Sequence, residues 1–405
     1  MFRMITPEKA LEVILERASP LQTVTVDLWS ANGMAAAEPV VAPVSLPPFD
    51  KSPLDGYALR AADTREASAN SPVSFRLLER IYAGELSRQK VGPGTAIAVT
   101  TGTAVPPGAD CVVRQEDTVL EGERVYVKSR LRSGENIIRA GEDVTRGERA
   151  VEIGQKIDGR LVGLLGALGR DEIKVFRRPR VAVFSTGNEF LEFGQPPEAG
   201  KIYRSNPYAL GACIKEMGAE VRLLDNVPDN PDLVAARIEE GIAVADLVVS
   251  TGGMSMGARD VVREAVVGAG AELVCWQAGF NRVACAQKDG CLILNLSGNP
   301  SSAWIAFIVL VRPVLLRLAG FREIFPGRVK GVMAEPYTKA SKQRRFVMAR
   351  VAWEKDRYLV RLSGRQGQAS LRSLASCNAL IDIPAGHGPL APGENVNLLL
   401  LPAVS

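Results

Sequence analysis

The chain has 405 residues, 46% hydrophobic and 23% charged, which is enough for two to four globular domains of ~100 to 200 residues each. Its 49 basic and 45 acidic residues are well mixed and give a formal net charge of +4. This mixture argues against a nucleic-acid-binding face, which needs clustered basic residues. The single histidine, His387, lies in a Gly-Pro-rich stretch that predicts a surface turn. One histidine excludes His-rich metal sites and most histidine-based catalysis.

The N-terminus predicts a folded helix rather than a signal peptide. Thr6 and Pro7 are typical of an N-cap and a first helical position, and apolar residues follow at helical spacing. The longest apolar stretch, residues 303–311, is stopped by Arg312 and is shorter than the ~20 residues of a membrane span, so we expect a buried helix there. The six cysteines form no C-x-x-C pair, which predicts neither a zinc site nor a disulfide framework. We expect a cytoplasmic protein without membrane contact.

Residues 47–58, PPFDKSPLDGYA, form a segment that is incompatible with a regular helix. Three prolines stiffen it, and Gly56 directly after Asp55 permits a positive φ at the glycine. The carboxylate of Asp55 would then be presented from a rigid loop, as functional side chains often are. Taken alone, the segment is better interpreted as an Asp-Gly turn between two strands.

The pattern of the chain changes twice after this loop. Residues 73–127 are short β segments broken by glycine and proline, which predicts a small β domain. After Lys174, long helical stretches alternate with continuous apolar strands, as in a parallel sheet covered on both faces. Past Pro326, alternating segments at 345–351 and 358–362 predict a final small β domain.

Three apolar strands of the α/β segment run into similar loops: STGNE at residues 185–189, STGG at 250–253 and SGNP at 297–300. In a doubly wound sheet such strand ends lie together at the carboxyl edge. Hydroxyls, glycine amides and helix N-termini there favour an anion. The sequence therefore predicts an anionic ligand, a phosphate ester, at this edge; tight turns without a ligand are the alternative.

In this order the motifs resemble the MoeA family, which includes the E domain of gephyrin. The resemblance spans nearly the whole chain and rests on the ordered set DGYA at residues 55–58, TTG at 100–102, PGAD at 107–110, GED at 141–143, STGNE at 185–189, GGMSMG at 252–257, GNP at 298–300 and QGQ at 366–368 with 371–374. It implies a multidomain α/β plus β fold with a doubly wound α/β molybdopterin-binding domain.

The resemblance also implies how the domains are arranged along the chain. Residues 1–50 and 140–175 would form a discontinuous N-terminal linking and dimerisation domain, and residues 51–139 the small β domain. Residues 176–325 would form the MoaB/Mog-like α/β domain, and residues 326–405 a C-terminal domain like a β-barrel.

The family implies a molybdopterin molybdenumtransferase, a Mg²⁺-assisted homodimer that inserts molybdate into adenylylated molybdopterin and releases AMP. It would receive its pterin nucleotide in contact with a MogA/MoaB-type adenylyltransferase. The residues that the resemblance assigns to catalysis are Asp55, Thr100, Asp143 and Glu189. Those assigned to ligand binding are Ser185, Thr186, Gly187, Asn188, Asp229, Ser250, Gly252, Gly253, Ser255, Gly257, Asp260, Arg282, Ser297, Gly298, Asn299 and Pro300. Those assigned to the metal are Glu189, Asp229 and Asp260.

In the dimeric family, the two sides of the cleft come from different subunits. The resemblance puts Asp55 and Thr100 on the β-domain side and Asp143 at the domain junction. It puts Glu189, Asp229 and Asp260 on the α/β side. For each carboxylate a solvated surface acid or a helix cap is the plainer alternative, and Asp229 is the one most easily explained as a cap.

The chain departs from the family pattern in its basic residues. A Lys-Pro-Gly-Lys-Pro segment is usual where this chain has WQAGFNRV at residues 276–283, with Gln277 and Asn281 where lysines are expected. If each lost charge-assisted contact is worth ~1.5 to 3 kcal/mol, two losses weaken anion binding by roughly two to four orders of magnitude. Arg282 would offset part of this loss.

Smaller departures lie elsewhere in the predicted site. Ile138 occupies the place of an arginine usual before Gly-Glu-Asp, with Arg139 following, and Ser297 replaces a proline. The departures leave two alternatives to molybdate insertion open. One is a non-catalytic paralogue that binds or delivers a pterin nucleotide, and the other is a transferase that prefers tungstate.

Overall fold

The computed structural model describes residues 5–254, 261–276, 282–340, 342–364, 366 and 370–401. The elements up to residue 176 are, in chain order, α1 (Pro7–Leu15), β1 (Thr23–Asp27), β2 (Val40–Val41), β3 (Gly56–Leu59), β4 (Val73–Ile81), β5 (Thr95–Val99), β6 (Cys111–Arg114), β7 (Thr118–Glu121), β8 (Arg124–Val127), β9 (Arg149–Val151), α2 (Gly159–Ala167) and β10 (Glu172–Phe176). Short 3₁₀ helices lie at Ala61–Thr64 and Gln115–Asp117.

The next elements belong to the α/β segment: β11 (Arg180–Ser185), β12 (Phe190–Leu191), β13 (Ile202–Tyr203), α3 (Asn206–Glu216), β14 (Glu220–Leu223), α4 (Pro231–Val244), β15 (Leu247–Thr251), α5 (Val261–Gly268), β16 (Glu272–Trp276), β17 (Val283–Lys288), β18 (Cys291–Leu296), α6 (Pro300–Ala306) and α7 (Arg312–Leu318). The C-terminal elements are β19 (Arg328–Met333), β20 (Arg345–Glu354), β21 (Arg357–Leu362), α8 (Leu371–Ala375), β22 (Ala379–Ile383) and β23 (Asn395–Leu400).

Helix α1 begins as the sequence predicts. The hydroxyl of Thr6 accepts a hydrogen bond from the backbone N–H of Lys9 at 3.3 Å, and Pro7 opens the helix. Its buried residues Ala10 and Ile14 belong to the core beneath the α/β sheet, although the resemblance groups the first 50 residues with the linking domain. Helix α1 therefore fastens the start of the chain to the α/β segment.

The small β domain is inserted between paired strands. Strand β1 pairs with β10 and β2 with β9, both antiparallel, so the chain leaves and re-enters the linking region side by side. Between these pairs, a six-stranded sheet has the order β6-β3-β5-β4-β8-β7. This arrangement holds the loop before β3 beside the domain junction.

Gly56 does not use the positive φ that a glycine permits. Its φ is not positive, and it is the first residue of β3, which lies between β6 and β5. A Cβ at this position would lie 1.9 Å from the carbonyl oxygen of Val113. The glycine is therefore required by the close approach of a neighbouring strand, and the loop that carries Asp55 ends one residue before it.

The α/β sheet confirms the predicted fold class. Its order is β14-β11-β15-β18-β17-β16, and the first four strands are parallel. On β11, Val181 and Val183 pack on the face that carries α1, α3, α6 and α7, whereas Ala182 and Phe184 pack on the face that carries α4 and α5. Both faces are covered, which explains why the strands read as continuous apolar runs.

One strand near the edge of this sheet, β17, runs antiparallel to the others, unlike the parallel strands that the sequence predicted. Strand β17 pairs antiparallel with both β16 and β18. Asp289 and Gly290, with φ of +51° and +79°, form a two-residue connection from β17 to β18. Such a short turn permits only an antiparallel hairpin.

The apolar stretch forms part of a buried helix, as predicted, and the helix continues past Arg312. Helices α6 and α7 are joined by a π-helical turn, Phe307–Val311, into one run from Pro300 to Leu318. The Arg312 side chain donates to the carbonyl of Ile324 at 3.4 Å, which gives its charge a polar partner. The run is long and apolar enough to cross a membrane, with a mean hydropathy of 1.7, but 61% of that window is buried, and it packs as a core helix.

The C-terminal strands close into a barrel with the order β19-β21-β20-β22-β23, so the barrel-like prediction is confirmed. Strands β20 and β21 cover both segments predicted from the sequence. Lys355 and Asp356 connect them with φ of +49° and +59°. His387 lies exposed in a turn, where its N–H donates to the carbonyl of Pro384 at 3.2 Å.

Candidate functional site

The three predicted loops meet at the carboxyl edge of the α/β sheet. We call residues 186–189, 252–254 and 297–299 the edge loops. The N–H of Gly252 donates to the carbonyl of Leu296 at 3.1 Å, and that of Thr186 donates to Thr251 at 2.9 Å. A Cβ at Gly298 would lie 3.5 Å from the Cα of Gly252. Three segments that are distant in sequence therefore form one surface.

The strand ends beneath the loops are buried. The hydroxyls of Ser185 and Thr251 are 2.9 Å apart, and Ser250 accepts a hydrogen bond from the Asn295 side chain at 2.9 Å. Ser185, Ser250 and Thr251 are all at most 2% exposed. Ser185 and Ser250, predicted to bind ligand, therefore brace the loops from below in this structure.

Three asparagines that the sequence analysis did not assign to the site hold the edge loops in place. The side-chain amides of Asn206, Asn226 and Asn295 donate to the carbonyls of Gly298 at 2.8 Å, Gly187 at 3.0 Å and Gly252 at 3.3 Å, respectively. Each loop is thus tied through a glycine carbonyl. Asn295 carries the signal that could have revealed it, since it is a polar residue inside the apolar strand β18.

The edge loops also present backbone donors. Within the described residues, the N–H groups of Asn188, Gly253 and Gly298 donate to no acceptor. Asn188 and Gly298 are exposed, and Gly253 is half-buried. Backbone N–H groups that converge at strand ends and before a helix are well suited to the oxygens of a phosphate.

Gly252 has a φ of +100°, and a Cβ there would lie 2.2 Å from the carbonyl oxygen of Thr186. We expect Gly252→Ala to lower the melting temperature and to weaken phosphate-ester binding by at least tenfold, because the loop must move to relieve the clash. Isothermal titration calorimetry with AMP measures the binding. Gly270→Ala is the matched control, since Gly270 has a φ of +69° but nothing within 4 Å of its Cβ position. Equal affinities of the two variants for AMP would contradict the prediction.

Two predicted carboxylates lie beside the edge loops. Oδ1 of Asp229 accepts a hydrogen bond from the hydroxyl of Thr186 at 2.7 Å. Asn230, not Asp229, caps helix α4, because its Oδ1 accepts from the amides of Asp232 and Leu233. The exposed Glu189 reaches back over its own loop, where a Cβ at Gly187 would lie 2.3 Å from its Oε2.

Ser255, Gly257 and Asp260, the other predicted residues of this region, lie outside the described residues. Among those that the structure describes, no group of three or more His, Cys, Asp or Glu side chains is placed to hold a metal ion. Two exposed carboxylates beside the predicted phosphate site nevertheless suit Mg²⁺, which usually takes one or two protein carboxylates and completes its shell with phosphate oxygens and water. The predicted metal role of Glu189 and Asp229 stays a prediction.

Asp55 is held at the end of its loop by Thr101. Oδ1 of Asp55 accepts hydrogen bonds from the backbone N–H of Thr101 at 2.7 Å and from its hydroxyl at 3.0 Å. These bonds, the amide first, lower the pKa of Asp55 below its ordinary value. The hydroxyl of the neighbouring Thr100 accepts from the N–H of Ala83 at 3.2 Å and lies 3.1 Å from that of Thr103.

Asp143 lies in a turn that pairs with the start of the same loop. Its N–H donates to the carbonyl of Leu46 at 3.0 Å, and its side chain is exposed. Lys51 exchanges backbone hydrogen bonds of 2.9 and 3.0 Å with Ile138. We call Asp55, Thr100, Thr101 and Asp143 the Asp55 cluster. The side-chain hydrogen bonds of Asp55 and Thr100 stay within the small β domain and do not reach the edge loops.

A cavity of about 960 Å³ lies elsewhere, between the linking region and the α/β segment. It is lined by residues of both charge signs, among them Asp158, Arg178, Glu216 and Arg312. None of the residues predicted for catalysis, ligand binding or metal binding lines it. The edge loops are therefore the better candidate site, because they bring together most of the described residues that were predicted to bind ligand.

Comparison with known proteins supports this choice. Residues 5–169 match the MoeA N-terminal region (domain I and II), residues 182–317 a probable molybdopterin binding domain, and residues 330–401 the MoeA C-terminal region (domain IV). The molybdopterin molybdenumtransferase of Staphylococcus aureus is 31% identical over 404 residues, covering 98% of this chain and 95% of the relative. The chain belongs to the MoeA family.

Solved structures agree with this assignment to the MoeA family. The molybdopterin biosynthesis MoeA protein of Pyrococcus horikoshii OT3 superposes with a TM-score of 0.85 at 27% identity, covering 98% of this chain and all of that one. A second structure from the same organism gives a TM-score of 0.81 at 30% identity, with 98% and 99% coverage. The whole MoeA architecture is therefore present in this chain.

Arg139 and Arg282, which lie next to the departures from the MoeA sequence pattern, have different interaction partners. Arg139 forms an ion pair with Asp50 at 2.6 Å, and the pKa of Asp50 is lowered, chiefly by the hydrogen bond from the N–H of Ala140. Arg282 donates to the carbonyl of Met254 at 2.9 Å, which keeps it at an edge loop. Gln277 and Asn281, which stand where the MoeA family has lysines, lie outside the described residues. Arg282 is thus the better placed of the two arginines to meet an anion at this edge.

Proposed function

We propose that this chain inserts molybdate into adenylylated molybdopterin and releases AMP, as part of molybdenum cofactor biosynthesis. The observation that carries the proposal is the meeting of three backbone N–H donors with the carboxylates of Glu189 and Asp229 at the edge loops. Such donors bind a diphosphate, and the carboxylates supply what Mg²⁺ needs beside it. The name of the Staphylococcus aureus relative, molybdopterin molybdenumtransferase, supports the same reaction.

In this proposal each group at the edge has a defined task. The N–H groups of Asn188, Gly253 and Gly298 hold phosphate oxygens. Glu189 and Asp229 would hold Mg²⁺, with Asp260 as a further predicted ligand. The bound ion would neutralise the negative charge of the diphosphate. The hydroxyl of Thr186 orients Asp229 through its 2.7 Å hydrogen bond.

The remaining predicted residues would come from a second copy of the chain. The Asp55 cluster makes its hydrogen bonds far from the edge loops in sequence, and we infer that it faces the edge loops of the partner in a homodimer. Its ionised Asp55 would then complete the acidic side of the cleft. A cytoplasmic location and supply of the pterin nucleotide by a MogA/MoaB-type adenylyltransferase stay predictions.

A second candidate function is a non-catalytic protein that binds or delivers a pterin nucleotide. The ion pair between Arg139 and Asp50 favours it, because an arginine engaged at 2.6 Å does not replace a lysine that meets molybdate. Arg282 and Lys201 both donate to carbonyls of the edge loops, and cations held in this way suffice for binding more readily than for insertion.

AMP release from adenylylated molybdopterin, with Mg²⁺ and molybdate present, tests the proposal. We expect release at least tenfold faster with molybdate than without it, measured by chromatography, with ligand binding followed in the same samples. Tungstate in place of molybdate tests the preference for the oxyanion. Binding without release would contradict the transferase and establish the pterin-holding protein, whereas absence of both would mean that the ligand has changed.

A further inference from the structure

Three aromatic side chains lie exposed beside the edge loops. We call Phe193, Tyr203 and Tyr208 the aromatic platform; they are 60%, 39% and 38% exposed, respectively. The ring centroid of Phe193 is 4.8 Å from that of Tyr208 and 6.2 Å from that of Tyr203. Clustered exposed aromatic rings leave apolar surface in water, which is typical of a surface that binds a partner or a ligand.

Short connections join the aromatic platform to two of the edge loops. The N–H of Ile202, next to Tyr203, donates to the carbonyl of Glu189 at 2.9 Å. The ammonium of Lys201 donates to the carbonyl of Asn188 at 2.7 Å. Asn206, two residues before Tyr208, donates to the carbonyl of Gly298 at 2.8 Å. The platform therefore borders the loops that are proposed to hold phosphate.

Arg204 adds a polar group to the platform. Its guanidinium lies 5.6 Å from the centroid of the Tyr208 ring and donates to the Tyr208 hydroxyl at 3.3 Å. The side chain is only 11% exposed, and the carboxylate of Glu192, itself 68% exposed, is 3.8 Å away. Nη1 of Arg204 is buried and has no hydrogen-bond partner among the described residues. A buried donor without an acceptor is costly, and an acceptor on a bound ligand would relieve this cost.

We propose that the aromatic platform stacks on a fused nitrogen heterocycle of the ligand and that Nη1 of Arg204 donates to an acceptor on that ring. The inference rests on the proposed function and extends it. It assigns a binding surface to the planar heterocycle of the ligand whose phosphates are proposed to bind at the edge loops. Aromatic side chains stack on heterocycles of either kind in this substrate, adenine or pterin. Ring nitrogens and exocyclic oxygens supply the acceptor.

Binding of separate fragments tests this assignment. Isothermal titration calorimetry would compare AMP, 6-hydroxymethylpterin and ribose 5-phosphate on the purified full chain. We expect Phe193→Ala to weaken the binding of one of the two heterocyclic probes by about tenfold, because removal of the phenyl ring removes its stacking on the heterocycle. The affinity for ribose 5-phosphate should stay unchanged. The probe that is weakened identifies the heterocycle. Phe193→Leu, which keeps an apolar side chain, should show the same selective loss.

Trp353→Ala is the matched control. Trp353 is 63% exposed and packs edge-on to Tyr358 at 4.9 Å between ring centroids, but it lies on the C-terminal barrel. It should leave all three affinities unchanged. Arg204→Lys keeps the charge but removes the planar donors, so it should weaken the same heterocycle as Phe193→Ala.

Several outcomes would overturn the proposal. Wild-type protein that binds neither heterocycle, or a Phe193→Ala variant that binds both as wild type does, removes the platform from recognition. An equal loss for ribose 5-phosphate shows general damage to the edge loops instead. If the wild type is a dimer and the Phe193→Ala variant is a monomer by sedimentation velocity, the platform is a subunit contact instead.

One outcome separates this proposal from the proposed function. Selective loss of heterocycle binding in a protein that releases no AMP would support the platform and contradict the transferase proposal.

Discussion

The Asp55→Asn variant is expected to lose turnover by a factor of about 10² to 10⁴ while its melting temperature stays close to that of the wild type. Both hydrogen bonds from Thr101 end on Oδ1, and the Oδ1 of asparagine can accept the same two bonds. The substitution therefore removes the negative charge and leaves the loop in place. Molybdate-dependent AMP release and thermal unfolding of the same preparation measure the two effects.

The charge of Asp55 is present throughout the useful pH range. The hydrogen bonds from Thr101 lower the pKa of Asp55 below its ordinary value of 3.8, so the group is a carboxylate wherever the enzyme is assayed. A pH optimum near neutrality would then report on another group. This makes the comparison with asparagine a test of charge alone at any assay pH above 5.

Asp50→Asn is the matched control, since Asp50 lies in the same loop and also accepts a backbone hydrogen bond, from Ala140 at 2.8 Å. Its side chain pairs with Arg139 and no role in the reaction is predicted for it, so we expect turnover within about threefold of the wild type. Wild-type turnover in Asp55→Asn would remove Asp55 from the mechanism. Equal losses in the two variants would indicate a disordered loop instead.

The sequence predicts those parts of the site that follow from local pattern. The edge loops could be placed because an apolar run that ends in serine, threonine and glycine is a buried strand with a turn after it, and parallel strands end on the same side. The N-cap at Thr6 is equally local, since it needs a hydroxyl and a proline within two residues. These predictions depend on neighbours in the chain, not on the fold.

The contacts that hold the loops could not be predicted in the same way. Asn206 and Gly298 are 92 residues apart, and Asn226 and Gly187 are 39 apart, so no spacing in the chain indicates their hydrogen bonds. Gly56 is a further example, because a side chain is excluded at this position by the carbonyl of Val113 on a neighbouring strand. The Asp55-Gly56 pair by itself suggests a turn, whereas the glycine is required by the close packing of two strands.

The full length of the core helix could not be predicted for a related reason. Arg312 is charged, and a charge in an apolar run usually marks the limit of a buried segment. Burial lowers the pKa of Arg312, yet the carbonyl of Ile324 lies within 3.4 Å of its guanidinium. A partner that is distant from the helix pattern thus lets the chain keep a charged residue inside one continuous helical run.

The largest expected effect on stability lies at the opposite end of the α/β sheet, at Asp246. Asp246 is 11% exposed, and it accepts two hydrogen bonds from Arg177, at 2.7 and 2.6 Å, and one from the N–H of Arg180 at 2.8 Å. We expect Asp246→Asn to lower the free energy of unfolding by about 3 kcal/mol, because Arg177 is then left largely buried without its counter-charge. Urea unfolding measures this change. Trp276 and Trp304 report it by fluorescence, since both lie in the same segment as Asp246.

The pH dependence of this effect has a defined sign. Burial acts to raise the pKa of Asp246, but the hydrogen bonds from Arg177 and Arg180 outweigh it, and the pKa lies below the ordinary value of 3.8. The stabilisation is therefore fully present above pH 3.8 and is lost as the pH falls through the lower folded-state pKa. The difference between wild type and Asp246→Asn should be constant from pH 7 to pH 5 and should shrink in strong acid. Glu12→Gln is the control, because its ion pair with Lys9 at 2.9 Å is more than half exposed and its loss should leave the free energy of unfolding close to that of the wild type. Equal effects of the two substitutions, or a difference that grows as the pH falls, would contradict a buried ion pair at the base of the sheet.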